Sequence, residues 1–501
     1  MLQPTSNSER KRIAVIGAGS AGLGALKILL ATKEWEDNEW EVIAFEQRSD
    51  LGGIWLPDPN PGDEPQTPLY NSLTTNLPHP IMAFRDFPFP HSTPLYPKAS
   101  IVLRYLQDYA DAFQLRPYIR FSTSVTSVKP FRSGDAGFSW EITTRACPPL
   151  TDEREVTWTN INTLIIANGR NSSPFYPLDI KKIDAWQAVG KISHSMSYRE
   201  PSPFRNQSVV VVGNGPSALD ISPELVGVAR RVYRSVRTPP TATSPLQEAP
   251  KGTRPTAQED TIVMCGSIRE LGDSTEGVVV FDDGKILSGI DHIIFATGYE
   301  IANHFLGPPV VNKGSNKGRA YPLPGNWMIS SGQHVFPLAE HMFPTSTALP
   351  LESLFFLGLP RQIVPFPLTE MQCHLLAGII SEKVKMNMEQ ESRRLFSAME
   401  DMLRVFGGRE DLAAREWHRL PGEGQFDYRA EMAKLVGVDP DMMVPNWQRM
   451  IYARKRELRE GWKELERRGD GETLVKGVGR GGEYEWVELM ERILETVGGI
   501  V

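Results

Sequence analysis

The sequence predicts an α/β chain with two Rossmann-like dinucleotide-binding folds and a helical C-terminal segment. Two glycine-rich turns, Gly17–Gly22 and Gly213–Ala218, each follow an apolar strand and open a helix. The strand after the first turn ends in an acid and the strand after the second ends in arginines. From residue 396 onward, acids and bases alternate with apolar residues in the manner of amphipathic helices.

The first strand is Arg12 to Ile16, and Gly17-Ala18-Gly19-Ser20-Ala21-Gly22 follows it at once. Gly17 permits the tight turn, Gly19 lets backbone approach a pyrophosphate, and Gly22 lets helix and strand pack closely. The helix N-terminus then faces the phosphate charge. The next strand, Trp40 to Phe45, ends in Glu46, at the spacing where an acid accepts hydrogen bonds from a ribose 2'-hydroxyl. The first fold is therefore expected to hold an unphosphorylated adenosine, that of FAD.

The pattern repeats at Val209 to Val212 and Gly213-Asn214-Gly215-Pro216-Ser217-Ala218, with Ala218 as the permitted small substitute for the third glycine. Here the following strand, RRVYRSVR, carries Arg234, Ser235 and Arg237 and no acid. A basic strand end suits a ribose 2'-phosphate, so this fold is expected to take NADPH. Either arginine, or both, can make that contact.

The bulk properties limit the partners. At 501 residues the chain is too long for one core. A net charge of −7 argues against a nucleic-acid surface. No stretch approaches the roughly 18 apolar residues of a membrane span, and no secretory leader is recognised at the polar start. The three cysteines, Cys147, Cys265 and Cys373, are far apart, with no metal spacing and no redox pair. Together these predict a cytoplasmic protein without a metal site. A homodimer is compatible with the sequence.

Several segments resemble those of the flavin-containing monooxygenases, especially the short soluble forms of yeasts and fungi. Leu51-Gly52-Gly53-Ile54-Trp55 resembles the GGxW loop beside the flavin, and YNSLTTNLP, from Tyr70 to Pro78, resembles the Y-x-x-L-x-T-N-x-P segment. Gly190, His194 and Tyr198 match the family pattern FxGxxxHxxx(Y/F), although Ala188 stands where the family has Phe. Ala296-Thr297-Gly298-Tyr299 resembles the ATGY segment, and SLFFLGLPRQIVPFPLTEMQ resembles the return to the FAD fold.

The resemblance implies an FAD-binding domain of residues 10–180 and 330–395, an inserted NADPH-binding domain of residues 181–329, and a C-terminal helical segment of residues 396–501. It adds Gly53, Trp55, Thr75, Asn76, Thr297, Gly298 and Gln372 to the cofactor-binding residues, with Asn76 as the catalytic amide beside the flavin. His194 is expected to organise the chain between the folds, not to act as a base. The implied reaction takes molecular oxygen and NADPH and passes one oxygen atom from a flavin hydroperoxide to nitrogen or sulfur of a small-molecule substrate. Pro57 to Pro97 is expected to wrap the FAD, and Pro239–Glu259 and Gly469–Glu483 to be surface loops. A Baeyer–Villiger monooxygenase is the enzyme alternative, but its pattern carries Trp where this chain has Tyr198 followed by Arg199. A non-enzymatic FAD-binding redox sensor is the other. A disulfide reductase would need the close cysteine pair that is missing.

Overall fold

The computed structural model describes residues 10–58, 65–133, 137–147, 155–237, 261–307, 310–312, 328–346 and 348–498. The chain forms two compact units, one of residues 1–56, 74–170 and 301–501, the other of residues 57–73 and 171–300. The stretch Pro239–Glu259 lies outside the described residues.

In the first unit, five strands form a sheet in the order Leu354–Phe356, Thr163–Ile166, Lys11–Ile16, Trp40–Phe45 and Ile119–Arg120. All neighbours are parallel. A parallel sheet is covered on both faces, and the central strand shows it residue by residue. Ile13 and Val15 join the core under the helices Ser20–Leu30 and Pro365–Ile380. Ala14 and Ile16 join the opposite core, under an antiparallel meander of Thr123–Ser133, Gly137–Ala146 and Val156–Ile161. Trp140 seals this second core, fully buried, and its Nε1 donates to the carbonyl of Ser353 at 2.7 Å.

The C-terminal helices continue the first of these cores. Trp417, Phe426, Met432, Ile451, Trp462 and Trp486 are all buried in the same cluster as Ile13 and Leu26. The loop expected over Gly469–Glu483 contains a short helix, Gly471–Val475, whose end residues are buried. A β-carbon on Gly471 would sit 3.4 Å from the Trp462 ring, so the small residue seats this turn on an indole. Its glycine-rich composition reads as a loop because the contact that orders it comes from packing back onto the preceding helix, Lys455–Arg468.

In the second unit, five parallel strands run in the order Val263–Cys265, Arg231–Ser235, Ser208–Val212, His292–Phe295 and Ile192–His194. Residues 57–73 belong to this unit and residues 74–97 to the first, so the proline-rich stretch is divided between the two. Tyr70 donates its hydroxyl to Asp220 at 2.5 Å, and Arg199 donates to the Thr67 carbonyl at 3.1 Å. Ser72 also donates to Glu224. A strap of little intrinsic preference is thereby tied to the helix Pro216–Leu225.

Trp140→Ala is expected to destabilise the first unit by about 3–5 kcal/mol, because it removes a buried indole and orphans a carbonyl. A urea titration followed by circular dichroism checks this. An unshifted midpoint would show that the meander is not part of the cooperative core.

Candidate active site

The first cradle is built where the strand Lys11–Ile16 meets the helix Ser20–Leu30. Gly17 adopts φ +102°, a left-handed conformation suited to glycine, and a β-carbon on it would sit 2.6 Å from the Ala167 carbonyl oxygen. A β-carbon on Gly22 would overlap the carbonyl oxygen of Gly17. On Gly19 it would meet only the backbone of Gly53, at 3.5 Å. Ser20 and Ala21 are half-buried in the first turn. Gly19 caps the helix without a side-chain hydrogen bond, leaving the first-turn amides available to an anion.

Glu46 stands at the end of the next strand and is only 5% exposed. One carboxylate oxygen accepts from the Ala18 amide at 2.8 Å and the other from the Arg48 amide at 2.9 Å. Burial pushes its carboxyl up, against the two amides and the Arg48 charge that favour the anion. Each oxygen retains a lone pair for a ribose hydroxyl. Arg48 also braces the second glycine loop through the carbonyls of Gly53 and Leu56, at 3.2 and 2.7 Å. That loop holds Trp55 half-buried against the main core. Glycines that backbone can approach, uncapped amides and a strand-end acid are the donor and acceptor set that an FAD pyrophosphate and ribose require.

Asn76 lies in a bend whose neighbours are pinned. Thr75 is buried, donates its hydroxyl to the Leu77 carbonyl at 2.8 Å, and donates its amide to the Pro97 carbonyl at 2.9 Å. Asn76 itself is exposed and makes no side-chain hydrogen bond among the described residues. The loop is capped by Thr75, so the Asn76 amide stays available. Gln372 is placed differently. It is fully buried, its Oε1 accepts from the Gly358 amide at 3.0 Å, and its Nε2 donates to the Tyr428 hydroxyl at 2.9 Å. Its amide is committed at both ends to holding the turn after Leu354–Phe356.

The second cradle repeats the first in the second unit. Gly213 has φ +138°, and a β-carbon there would overlap the Ala296 carbonyl oxygen. Gly215 has nothing within 4 Å of a β-carbon position, and Pro216 opens the helix with no side-chain cap. Asn214 is exposed, Ser217 is half-buried, and Ala218 is fully buried under the helix. Arg234 is half-buried, with its Nε enclosed and lacking a partner among the described residues, whereas Arg237 is exposed. An enclosed guanidinium nitrogen without an acceptor fits a phosphate ligand. Ser235 turns inward and donates to the Gly266 carbonyl at 2.8 Å. Thr297 donates to the Phe175 carbonyl. The Gly298 carbonyl accepts from the Phe175 amide at 3.0 Å.

His194 ties these pieces together. Its Nδ1 accepts from the Met196 amide at 3.1 Å, which leaves the proton on Nε2 to donate to the Gly298 carbonyl at 3.1 Å. Burial lowers its pKa to about 4, so it is neutral and already spent as donor and acceptor. It is a structural hub. Among the described residues no group of three or more His, Cys, Asp or Glu could hold a metal, and no helix is long and apolar enough to cross a membrane. The Tyr70–Asp220 tie and the Gln372–Tyr428 pair were not legible in sequence, since their partners lie far apart in the chain.

A family model described as flavin-binding monooxygenase-like matches residues 10–247 and 258–323. The chain is 31% identical to flavin-containing monooxygenase FMO GS-OX-like 2 of Arabidopsis thaliana, over 90% of this chain and 91% of the relative. It is 30% identical to thiol-specific monooxygenase of Saccharomyces cerevisiae, over 86% of this chain and 87% of the relative. The solved structure of S-allyl-L-cysteine S-oxygenase from Allium sativum is similar at a TM-score of 0.70 and 26% identity, covering 90% of this chain and 93% of that one.

Gly19→Val is expected to fold, because the nearest atom to its β-carbon is at an ordinary contact distance, and yet to fill the space meant for a pyrophosphate. The purified variant should show a native circular dichroism spectrum without flavin absorbance. A variant that retains full flavin content would remove the first loop from the binding site.

Proposed function

The chain belongs to the flavin-binding monooxygenase-like family, and on that premise we propose that it uses NADPH and molecular oxygen to oxygenate a sulfur or nitrogen nucleophile of a small molecule, with sulfur favoured. The observation that carries the reading is the opposite chemistry of the two cradles. A buried carboxylate, Glu46, closes the first, and a half-buried arginine whose Nε has no partner among the described residues, Arg234, closes the second. The first accepts ribose hydroxyls and disfavours a phosphate; the second attracts one. The names of two similar proteins, a thiol-specific monooxygenase and an S-oxygenase, support sulfur as the acceptor.

When bound, the flavin takes hydride from the nicotinamide, activates oxygen and supplies the atom transferred. The chain's own residues bind, orient and protect. Gly17, Gly19 and Gly22 let backbone amides approach the pyrophosphate, and Glu46 fixes the ribose. Arg234 selects the phosphorylated coenzyme, with Arg237 as a second, exposed cation. Asn76 offers one amide with both a donor and an acceptor beside the flavin, and it retards loss of activated oxygen to solvent as peroxide. Tyr198 favours heteroatom oxygenation over ketone insertion. It occupies the position where the alternative enzymes carry Trp, and its hydroxyl donates to Glu224 at 2.8 Å.

The direct test is aerobic NADPH turnover with a panel of thiols, thioethers, amines and ketones, scored by mass for the gain of one oxygen atom. Product from a ketone alone would transfer the chain to the Baeyer–Villiger reaction.

Two variants probe the assigned roles. Replacing Arg234 and Arg237 by alanine should raise KM for NADPH by about tenfold or more, since each charge-assisted contact is worth about 1.5–3 kcal/mol. KM for NADH should move little, and equal use of both coenzymes by the native protein would refute the phosphate assignment. Asn76→Ala should bind FAD and oxidise NADPH normally while releasing hydrogen peroxide in place of product. The loss of one preorganised hydrogen bond, about 2.7–4 kcal/mol at most, shifts that partition by about a hundredfold. Unchanged coupling of NADPH to product would return Asn76 to the status of a loop residue.

A further inference from the structure

The C-terminal helix Lys455–Arg468 carries its charges in pairs along its own surface. Arg454 meets Glu457 at 2.6 Å, Lys463 meets Glu460 at 3.0 Å, and Arg467 and Arg468 both meet Glu464 at 2.7 Å. Lys455, Arg456 and Arg459 make no such pair among the described residues, and Arg459 is half-buried. One terminal nitrogen donates to the Thr74 hydroxyl at 2.6 Å, and the guanidinium lies 4.3 Å from the centre of the Tyr96 ring. Its other terminal nitrogen, Nη1, is enclosed and has no hydrogen-bond partner among the described residues.

The neighbours share that deficit. The Tyr96 hydroxyl and the Trp462 indole nitrogen are also buried without partners, and the two rings lie 6.4 Å apart. All three groups can donate. An unmet buried donor is costly, so the cluster lacks a hydrogen-bond acceptor among the described residues, although the charges of Glu460 and Glu466 reach Tyr96. Its position is informative as well. Thr74, which Arg459 holds, bridges to Lys98 in a short antiparallel contact and lies two residues before Asn76.

We propose that Arg459 anchors an anionic head group, a carboxylate, on the same small molecule that presents the nucleophilic sulfur to the Asn76 segment. This rests on the oxygen-transfer reading above and names the substrate class it left open. The guanidinium offers its free Nη1 to the carboxylate, as arginine does for planar anions, and the Tyr96 ring holds it in place. Arg459 is in this reading a specificity residue.

The test is calorimetric titration of the FAD-loaded protein with 3-(methylthio)propionate and with its uncharged amide, neither requiring turnover. The native protein should bind the acid about tenfold or more tightly than the amide, as expected for one charge-assisted contact. Arg459→Met should abolish that difference while keeping FAD content and amide affinity, and Arg459→Lys should restore part of it. NADP+ should bind the native protein and the variant equally. Equal affinity of the native protein for acid and amide would overturn the proposal, and this comparison needs no variant to fold. A loss confined to NADP+ would overturn it in favour of a coenzyme phosphate on Arg459. The two readings fail separately: oxygenation of thioethers regardless of charge sinks only the anchor, whereas charge-selective binding with no oxygen gained sinks only the reaction.

Discussion

The carbonyl oxygen of Gly17 lies so close to Gly22 that a β-carbon there would overlap it, and this contact sets where the helix Ser20–Leu30 begins. The helix starts at the very end of the strand, with amides uncapped and pointing past the sheet edge. The central strand must then be apolar on both faces, because helices cover one side and the meander the other. In the second unit Gly213, against the carbonyl of Ala296, repeats the contact that Gly17 makes with the carbonyl of Ala167. In the first unit the uncapped helix start is a by-product of close packing between a strand and its helix, and it depends on a residue that has no side chain to offer.

What surrounds each cradle is polar and spent on backbone. Glu46 holds the Ala18 amide, Gln372 holds the Gly358 amide, and His194 holds the Met196 amide and the Gly298 carbonyl. Burial keeps His194 neutral and pushes the Glu46 carboxyl up. Such groups fix loop geometry in the absence of regular secondary structure, which a turn lined by glycine cannot do for itself. Capacity for something else remains in the second lone pairs of Glu46, in Asn76, and in the nitrogens of Arg234 and Arg459 that have no partner among the described residues.

The parts legible in sequence were those whose meaning is local. Strand, glycine turn and helix occupy consecutive residues, and Glu46 or Arg234 lies at the end of the very next strand, so both strand–turn–helix units could be read. Asn76 could be named only through resemblance, since a lone asparagine in a loop has no pattern. The rest depended on distant partners. Residues 57–73 carry no periodicity, and their tie to Asp220 and Arg199 spans well over a hundred positions. Gly471–Val475 reads as a loop until Trp462 is packed beneath it. Arg459 sits in a helix of alternating charges, and nothing in that run distinguishes it from its paired neighbours.

The division of the chain has a consequence for synthesis. The second unit needs only residues 57–73 and 171–300, so all of its sequence exists once residue 300 has been made. The first unit needs the strand Leu354–Phe356 beside Thr163–Ile166, and then the helices that bury Trp417, Trp462 and Trp486. On a ribosome, the second unit can close while the first still has an open sheet edge and an uncovered apolar face. The loop Gly17–Gly22 thus belongs to the unit completed later. Chaperone demand should concentrate on that interval, when the strand Lys11–Ile16 has its neighbours on the sheet but lacks the helix Pro365–Ile380 and the C-terminal helices beyond it.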